Sequence, residues 1–445
     1  LRSVQNEKGL AVMLWKKDTD VAAWVTRFTV GEDYRWDTRL LLYDIEGTRA
    51  HAHGLTILGI LSADERESVN RALDEIKTSV VAGELVVRQE DEDCHTVLEN
   101  ELVKRLGDTG KNIHTGRSRN DQVLTALRLY LKDRLRAAAA GTAALTEALI
   151  TLGERYAGAI MPGYTHLQRA MPTTAGLWAM GYAELLVSDL IALKAAFDQI
   201  DTSPLGSAAG YGVPYLDLPR RATADAMGFN GVQLHVPAVQ LSRGKLELHV
   251  AHALVQLGAS LNRMASDLVL FNTSEFGFVT LPAAFCTGSS IMPQKQNPDV
   301  LELIRAHYHR AVAEMHVLLT LPANLPSGYH RDLQLTKEAV MRAEAVVTDM
   351  LDAMRQLLPG VKFDVERMQQ ATSGELFATA NALEKVLSGT PFRDAYREAA
   401  KEVSRAKPID LHRALDAYRV VGYPGKHDAD ALRERLRIAG HGLLP

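Results

Sequence analysis

Apolar residues along the middle of this chain recur at steps of three and four. Over 121–157 they run from Leu124 through Leu127, Leu131, Leu135, Ala138, Thr142, Leu145, Leu149 and Leu152 to Tyr156. That spacing keeps one face of a helix apolar, and its heptad-like seam predicts a helix packed lengthwise on others. At 1.5 Å per residue the helix is about 55 Å long, more than an ordinary globular helix needs. The same periodicity returns after Pro172 to about Ile200, over 242–271, over 298–321 and over 332–358. The pattern therefore predicts five long helices, an all-α class and a bundle. Alternating strand patterns are few, and no repeat of solenoid length is evident.

Shorter helices are expected toward the N-terminus. One spans 43–60 and ends near Gly59; the next opens at Ser62 with Glu65 at capping-box spacing and closes at Gly83. Residues 85–87 read as a short extended piece. Pro359-Gly360 marks a boundary, after which the segments are short, and the charged run 428–437 reads as a solvated helix face. The division expected is 1–115, 116–360 and 361–445. The chain opens on Leu1 and MLWKK begins only at Met13, so 1–12 reads as vector sequence or an overlong start.

Between the long helices lie segments richer in chemistry than turns require. HTGRSRND, 114–121, sets Arg117 and Arg119 beside Ser118 and Asn120, a combination suited to carboxylates because a guanidinium bonds both oxygens. MPGYTHLQRAMP, 161–172, breaks the helix with two prolines and a glycine and is expected as a loop carrying Thr165, His166 and Gln168. SPLGSAAGYG, 203–212, is a small-residue loop. TGSSIMPQKQN, 287–297, offers two hydroxyls, Lys295 and the Asn297 amide ahead of a helix N-terminus, a place that favours anions; Asn297 reads as its N-cap and Pro298 as its first residue. PSGYHRDLQLTK, 326–337, follows. Taken singly, each has a plainer alternative as a capped or solvated turn.

Composition narrows the picture. In 445 residues, 47% are hydrophobic and the net charge is −4, enough for a large core and without the basic blocks of a nucleic-acid or membrane-surface binder. No apolar run was expected to reach membrane-spanning length. Two distant cysteines, Cys94 and Cys286, point to a reduced, cytoplasmic protein without a zinc motif. Cys286 reads as a buried or semi-buried thiol rather than a nucleophile, and His51 and His53, two apart on a helix, do not share a face as metal ligands would.

Together, HTGRSRNDQ, GYTHLQ, PLGS, GSSIMPQKQNPD and the DLQ of 332–334 resemble the argininosuccinate lyase family of the fumarase/aspartase superfamily, over the chain from about Trp15 onward. GSSxMPxKxNP is common to the superfamily; Ser118 to Asn120 point to this member. The resemblance implies a three-domain all-α lyase. It implies a homotetramer with a twenty-helix core and active sites built from three subunits. The implied reaction is a cofactor-free β-elimination of argininosuccinate to arginine and fumarate, in arginine biosynthesis, with no metal. By motif position, Ser289 is the base, its alkoxide helped by Lys295 and the 288–290 amides, with Ser290 the alternative oxygen. His166 paired with Glu302 is a candidate acid, and Thr165 holds water or substrate. Ser118, Arg119, Asn120, His95, Asn297, Tyr329, Gln334 and Lys337 are implied substrate contacts, and Arg243 a further one from its SRGK context. The N-terminal segment departs from the family's Gly-Arg-Phe and contacting serine; Thr29 or Asp33 stands in. The alternatives are a sister lyase such as adenylosuccinate lyase or fumarase, a structural tetramer like the δ-crystallins, and a generic helical binding module.

Overall fold

The computed structural model describes residues 23–402 and 415–444. The vector sequence or overlong start expected at 1–12 and the beginning of the family resemblance near Trp15 lie outside the described residues. The helices are α1 (Ala23–Val30), α2 (Asp33–Ile57), α3 (Ala63–Val81), α4 (Cys94–Leu106), α5 (Asp108–Asn112), α6 (Arg119–Arg155), α7 (Ala175–Ile200), α8 (Arg220–Ala226), α9 (Val236–Leu241), α10 (Lys245–Asn272), α11 (Asp299–Thr320) and α12 (Leu335–Leu357), with shorter helices beyond. The five long helices are α6, α7, α10, α11 and α12, within about three residues of their expected bounds. The seam predicted on α6 is inside: Leu124, Leu131, Leu135, Leu145 and Leu149 are buried.

The chain forms two compact units. The first comprises the chain up to Leu135, Ala195–His252 and Ala313–Glu344; the second comprises Arg136–Lys194, Ala253–Val312 and the chain from Ala345 on. Each long helix contributes a stretch to both.

In the first unit, α2 is longer than the 43–60 segment expected. Its opening turns, DYRWDTR, lack an apolar stripe because the inward face is partly polar: Asp37, Asp44, Thr48 and His51 are buried beside Leu40, Leu41, Ile45 and Leu55. The capping box of α3 forms as expected, Ser62 N donating to Glu65 Oε2 at 2.8 Å and Glu65 N to Ser62 Oγ at 3.2 Å. Residues 85–87 form no strand. Asp121, fully buried in the first turn of α6, accepts from the Ser118 amide at 3.0 Å with one oxygen. Its other oxygen accepts from the Gly206 and Ala208 amides at 3.0 and 2.8 Å. It joins the RSRN turn to the small-residue loop.

In the second unit, the segment expected as a loop at 161–172 is a β-hairpin, β1 (Ile160–Thr165) with β2 (Gln168–Thr174). Its prolines stand opposite each other, Pro162 against Pro172, and the register shifts between Pro162 and Tyr164, so the residues that break the helix do not abolish pairing. His166 and Leu167 are the two turn residues, with φ of 54° and 57°. Such left-handed pairs fit a two-residue hairpin turn but are normally Asn-Gly, and for ordinary side chains they cost about 1–3 kcal/mol each. The 428–437 run belongs to the helix Ala429–Gly440 and is more than a solvated face: Arg433 clasps Glu154 at 2.9 and 2.8 Å and reaches Glu147 at 2.9 Å.

Contrary to the sequence expectation, α6 and α7 each contain an 18-residue window long and apolar enough to cross a membrane. Just over half of each window, 56%, is buried inside the protein, which is why long bundle helices pass that test.

Replacing Asp121 with Ala strands three backbone amides, that of Ala208 buried and those of Ser118 and Gly206 half-buried. We predict a loss of about 3 kcal/mol in unfolding free energy, read as a lower urea midpoint; an unchanged midpoint would contradict the joining role.

Candidate active site

The richest cavity lies in the first unit, with a volume of about 200 Å³. Among its walls are His95, Arg119, Asn120, Tyr329, Gln334 and Lys337, six of the eight residues assigned to substrate binding from the sequence. Four stretches of chain supply them: the start of α4, the start of α6, the 326–337 segment and α12.

Lys337 is the buried centre. Its ammonium bonds Asp33 Oδ2 at 2.8 Å and Asp37 Oδ1 at 2.5 Å. Burial would discharge a lone lysine, but the two carboxylates outweigh it and raise the pKa. Asp37 also accepts from the Cys94 amide at 3.2 Å. The Asp33 carboxyl is pushed up to about 6, mainly by burial and then by Asp37 and Asp93, against the pull of Lys337.

Beside this triad, His95 Nδ1 lies 2.8 Å from Asp44 Oδ2, both buried. Burial lowers the imidazole pKa, yet Asp44 and Asp93 raise it overall. Asp93 caps α4 by accepting from Thr96 N at 2.7 Å and Thr96 Oγ1 at 2.9 Å. Burial raises its carboxyl, but His95, Arg119 and Thr96 hold it below the usual range. Arg119 donates to Thr96 Oγ1 at 3.1 Å and lies 3.6 Å from Asp93 and 3.5 Å from Glu99. Its buried Nη1 has no hydrogen-bond acceptor. Arg243 sits over the Tyr329 ring at 4.9 Å, a cation–π contact, and its buried Nε and Nη1 are also without acceptors. Gln334 donates to the Thr29 carbonyl at 3.0 Å. Ser118 flanks the cavity, its Oγ accepting from the Asn120 amide at 3.3 Å.

Sequence reasoning missed Asp37, Glu92, Asp93 and Arg331 in these walls. The signal for the first was available: Asp33, Asp37 and Asp44 stand four and seven apart, so they share one helix face. Glu92 has a φ of 69°, uncommon for such a residue and concentrated at functional sites.

The remaining assigned residues are in the second unit. Thr287 and Asn297 pair as an isolated bridge, N–H to O distances 3.2 and 2.8 Å, pinching the loop at its base. The Asn297 amide donates to the Gly288 carbonyl at 3.3 Å and does not cap α11. Pro298 does, its carbonyl accepting from Glu302 N, so the helix begins one residue later than expected. Ser289 Oγ accepts from Met292 N at 3.1 Å and, more weakly, Ile291 N at 3.4 Å. These are the two amides after the 288–290 group expected. Lys295 is exposed and its ammonium is unpaired among the described residues. Thr165 and His166 are exposed at the hairpin turn, and Glu302 is exposed in the first turn of α11; within the chain no hydrogen bond or ion pair joins His166 to Glu302 among the described residues. Cys286 is partly exposed, as read.

Asp44, Cys94 and His95 present ligand atoms within 4.8 Å of one another. His95 Nδ1 is spent on Asp44, and burial with three nearby carboxylates pushes the Cys94 thiol well up, the reverse of what a metal-binding thiolate needs. His51 Nε2 meets the Thr115 carbonyl at 2.9 Å and His53 Nδ1 meets Arg66 at 3.1 Å, so both are engaged locally.

Two predictions follow from this electrostatic arrangement. Lys337→Met leaves two carboxylates buried without their cation and is expected to cost about 3–5 kcal/mol, measured by denaturant unfolding; a loss below 1 kcal/mol would show the triad to be relaxed. The His114 imidazole, lowered to about 4 by burial, Arg117 and Arg119, is neutral at pH 7. Its stabilising contribution is present above the ordinary 6.5 and is lost as pH falls toward 4. An NMR titration of His114 with a midpoint above 6 would contradict this.

A family model described as "Lyase" matches residues 20–313. Argininosuccinate lyase of Thermotoga neapolitana is 45% identical over 394 residues, covering 88% of this chain and 99% of the relative. That of Sorangium cellulosum is 45% identical over 432 residues, covering 96% and 99%. Among solved structures, an EDDS lyase variant with bound fumarate matches with a TM-score of 0.74 at 23% identity, covering 93% of this chain and 90% of the other. A fumarate lyase:delta crystallin from Brucella melitensis bound to cobalt matches at 0.68 and 19%, covering 91% of each. These two structures speak for the fold alone. With the long relatives and the family model in agreement, the chain belongs to the argininosuccinate lyases, carbon–nitrogen lyases of the fumarase/aspartase superfamily.

Proposed function

We propose that the protein cleaves argininosuccinate to arginine and fumarate by β-elimination, as a cytoplasmic enzyme of arginine biosynthesis. The observation that carries the reading is the bipolar cavity: unspent guanidinium donors on Arg119 and Arg243, and carboxylates on Asp33 and Asp93. Argininosuccinate has three carboxylates and a guanidinium, so it matches both signs. Adenylosuccinate or fumarase chemistry would need no acidic wall of this kind.

In this reading Ser289 removes the carbon-bound proton beside a carboxylate. The electrons move onto that carboxylate as an aci-carboxylate, and the C–N bond then breaks as an acid protonates the leaving guanidino nitrogen. A serine hydroxyl is a weak base at neutral pH, and its alkoxide has to be stabilised. The Met292 and Ile291 amides already donate to Ser289 Oγ, and Lys295 supplies a nearby positive charge from the same loop. Asn297 positions the loop through Gly288. His166, oriented by Glu302, is the acid of this proposal, with Thr165 beside it holding substrate or water. Ser118, Arg119, Asn120, His95, Tyr329, Gln334 and Lys337 form the binding wall.

The same reading includes the three-part division 1–115, 116–360 and 361–445, and a homotetramer in which loops of different copies complete each site. Apolar residues left exposed on long helices support self-association: Leu185 and Ile191 on α7, and Leu303 and Leu319 on α11. The strained His166–Leu167 turn also fits a functional position.

Fumarate release, followed by ultraviolet absorbance, provides the test. Ser289→Ala is expected to lower kcat at least about 1,000-fold, the scale on which activated nucleophiles and oxyanion donors act, with modest loss of binding. Near-normal turnover removes Ser289 as base. Mixing inactive Ser289→Ala with inactive His166→Asn is expected to restore part of the activity after subunit exchange; no recovery contradicts shared sites.

A further inference from the structure

Asp33 is the first residue of α2 and faces the cavity, its side chain 15% exposed. Thr29, the other residue that could stand in for an N-terminal serine, is turned to the wall. Its hydroxyl donates to the Val25 carbonyl at 2.9 Å, and its carbonyl accepts from Gln334 and Arg331 at 3.0 and 3.1 Å. Of the two residues named for the N-terminal contact, the one that lines the cavity is therefore the carboxylate.

The charges around it do not cancel. One ammonium, Lys337, serves both Asp33 and Asp37. Asp37 is fully buried and uses its second oxygen on the Cys94 amide. The uncompensated charge therefore rests on Asp33, whose Oδ1 accepts from no described residue. Asp93 faces it with the same sign, and Arg243 with the opposite one. Arg243 and Arg119 also lack acceptors for buried N–H groups. A purely anionic ligand satisfies the arginines and is repelled at Asp33. A ligand with carboxylates at one end and a cation at the other satisfies all three.

Resting on the function proposed above, we infer that Asp33 is a specificity-determining residue, its free carboxylate oxygen accepting hydrogen bonds from the cationic part of the substrate, guanidinium or α-ammonium. It sorts argininosuccinate and arginine from substrates that carry only carboxylates. Ionised Asp33 is held at a cost, its carboxyl lying near 6, and a docked cation removes that cost.

The test compares arginine with fumarate as ligands of the full-length wild type, Asp33→Asn and Asp33→Ser, by calorimetry. Arginine binding is expected to weaken roughly tenfold or more in both variants, the scale of a charge-assisted hydrogen bond, while fumarate binding stays within about twofold. In the wild type, arginine affinity is expected to fall as pH drops from 7 to 5, and in Asp33→Asn to lose that dependence. KM for argininosuccinate should rise more than kcat falls. Equal weakening of both ligands would mean that only the Lys337 triad had collapsed, and would overturn the inference, as would unchanged arginine binding. Wild-type protein that neither binds arginine nor cleaves argininosuccinate would overturn the functional reading itself.

Discussion

One buried ammonium, Lys337, held by two carboxylates, is the constraint on which the cavity depends. The Lys337 bonds tie the first turns of α2 to the first turn of α12. Asp37 extends the tie to the Cys94 amide at the start of α4, and the neighbouring His95–Asp44 pair fixes α4 to α2 a second time. Each charge is too costly to bury alone, so the three elements are held in one arrangement. Arg119 joins the same network through Asp93, Thr96 and Glu99. What remains after these pairings is a small set of unspent groups, the Arg119 and Arg243 donors and one oxygen of Asp33, all on residues that line a common space. Binding chemistry here is the remainder of a structural network.

The loops of the second unit follow a different logic. The Thr287–Asn297 bridge pinches a segment whose tip is exposed, with Ile291 83% accessible and Lys295 unpaired among the described residues. The Ser289 hydroxyl is nevertheless oriented, because backbone amides two and three residues on donate to it. The hairpin holds His166 and Leu167 in a left-handed turn, a conformation that a bulky apolar residue such as Leu167 does not favour. The hairpin turn spends local free energy and presents His166 at the surface, while the loop presents Lys295, unpaired among the described residues. In the proposed function these are half-sites that another copy completes.

The long helices were legible because heptad-like spacing survives without tertiary information; Leu124 to Tyr156 state the α6 core directly. The hairpin was not, since Pro162 and Pro172 signal helix breaking more strongly than pairing, and the register tolerates them by setting them opposite one another. Helix α2 was read short because its inner face carries Asp37, Asp44, Thr48 and His51, a polar seam whose partners are on α4, on α12 and in the 115–117 turn. The site residues on motif loops could be named from the sequence. The acidic wall could not, because nothing in the local pattern shows that Lys337, some 300 positions away, meets Asp33 and Asp37. Asn297 illustrates the opposite error: its composition suits a cap, but its amide is used to close the loop on Gly288.

The central claim is that the bipolar cavity receives argininosuccinate by its two kinds of charge and that a second copy brings the base. A crystal structure of the Ser289→Ala protein with argininosuccinate bound measures this most directly. The account predicts the cationic end within hydrogen-bond distance of Asp33, carboxylates on Arg119 and Arg243, and position 289 of a neighbouring copy over the carbon that loses its proton. Substrate bound elsewhere, or a site closed by its own chain's 287–297 loop alone, would contradict it.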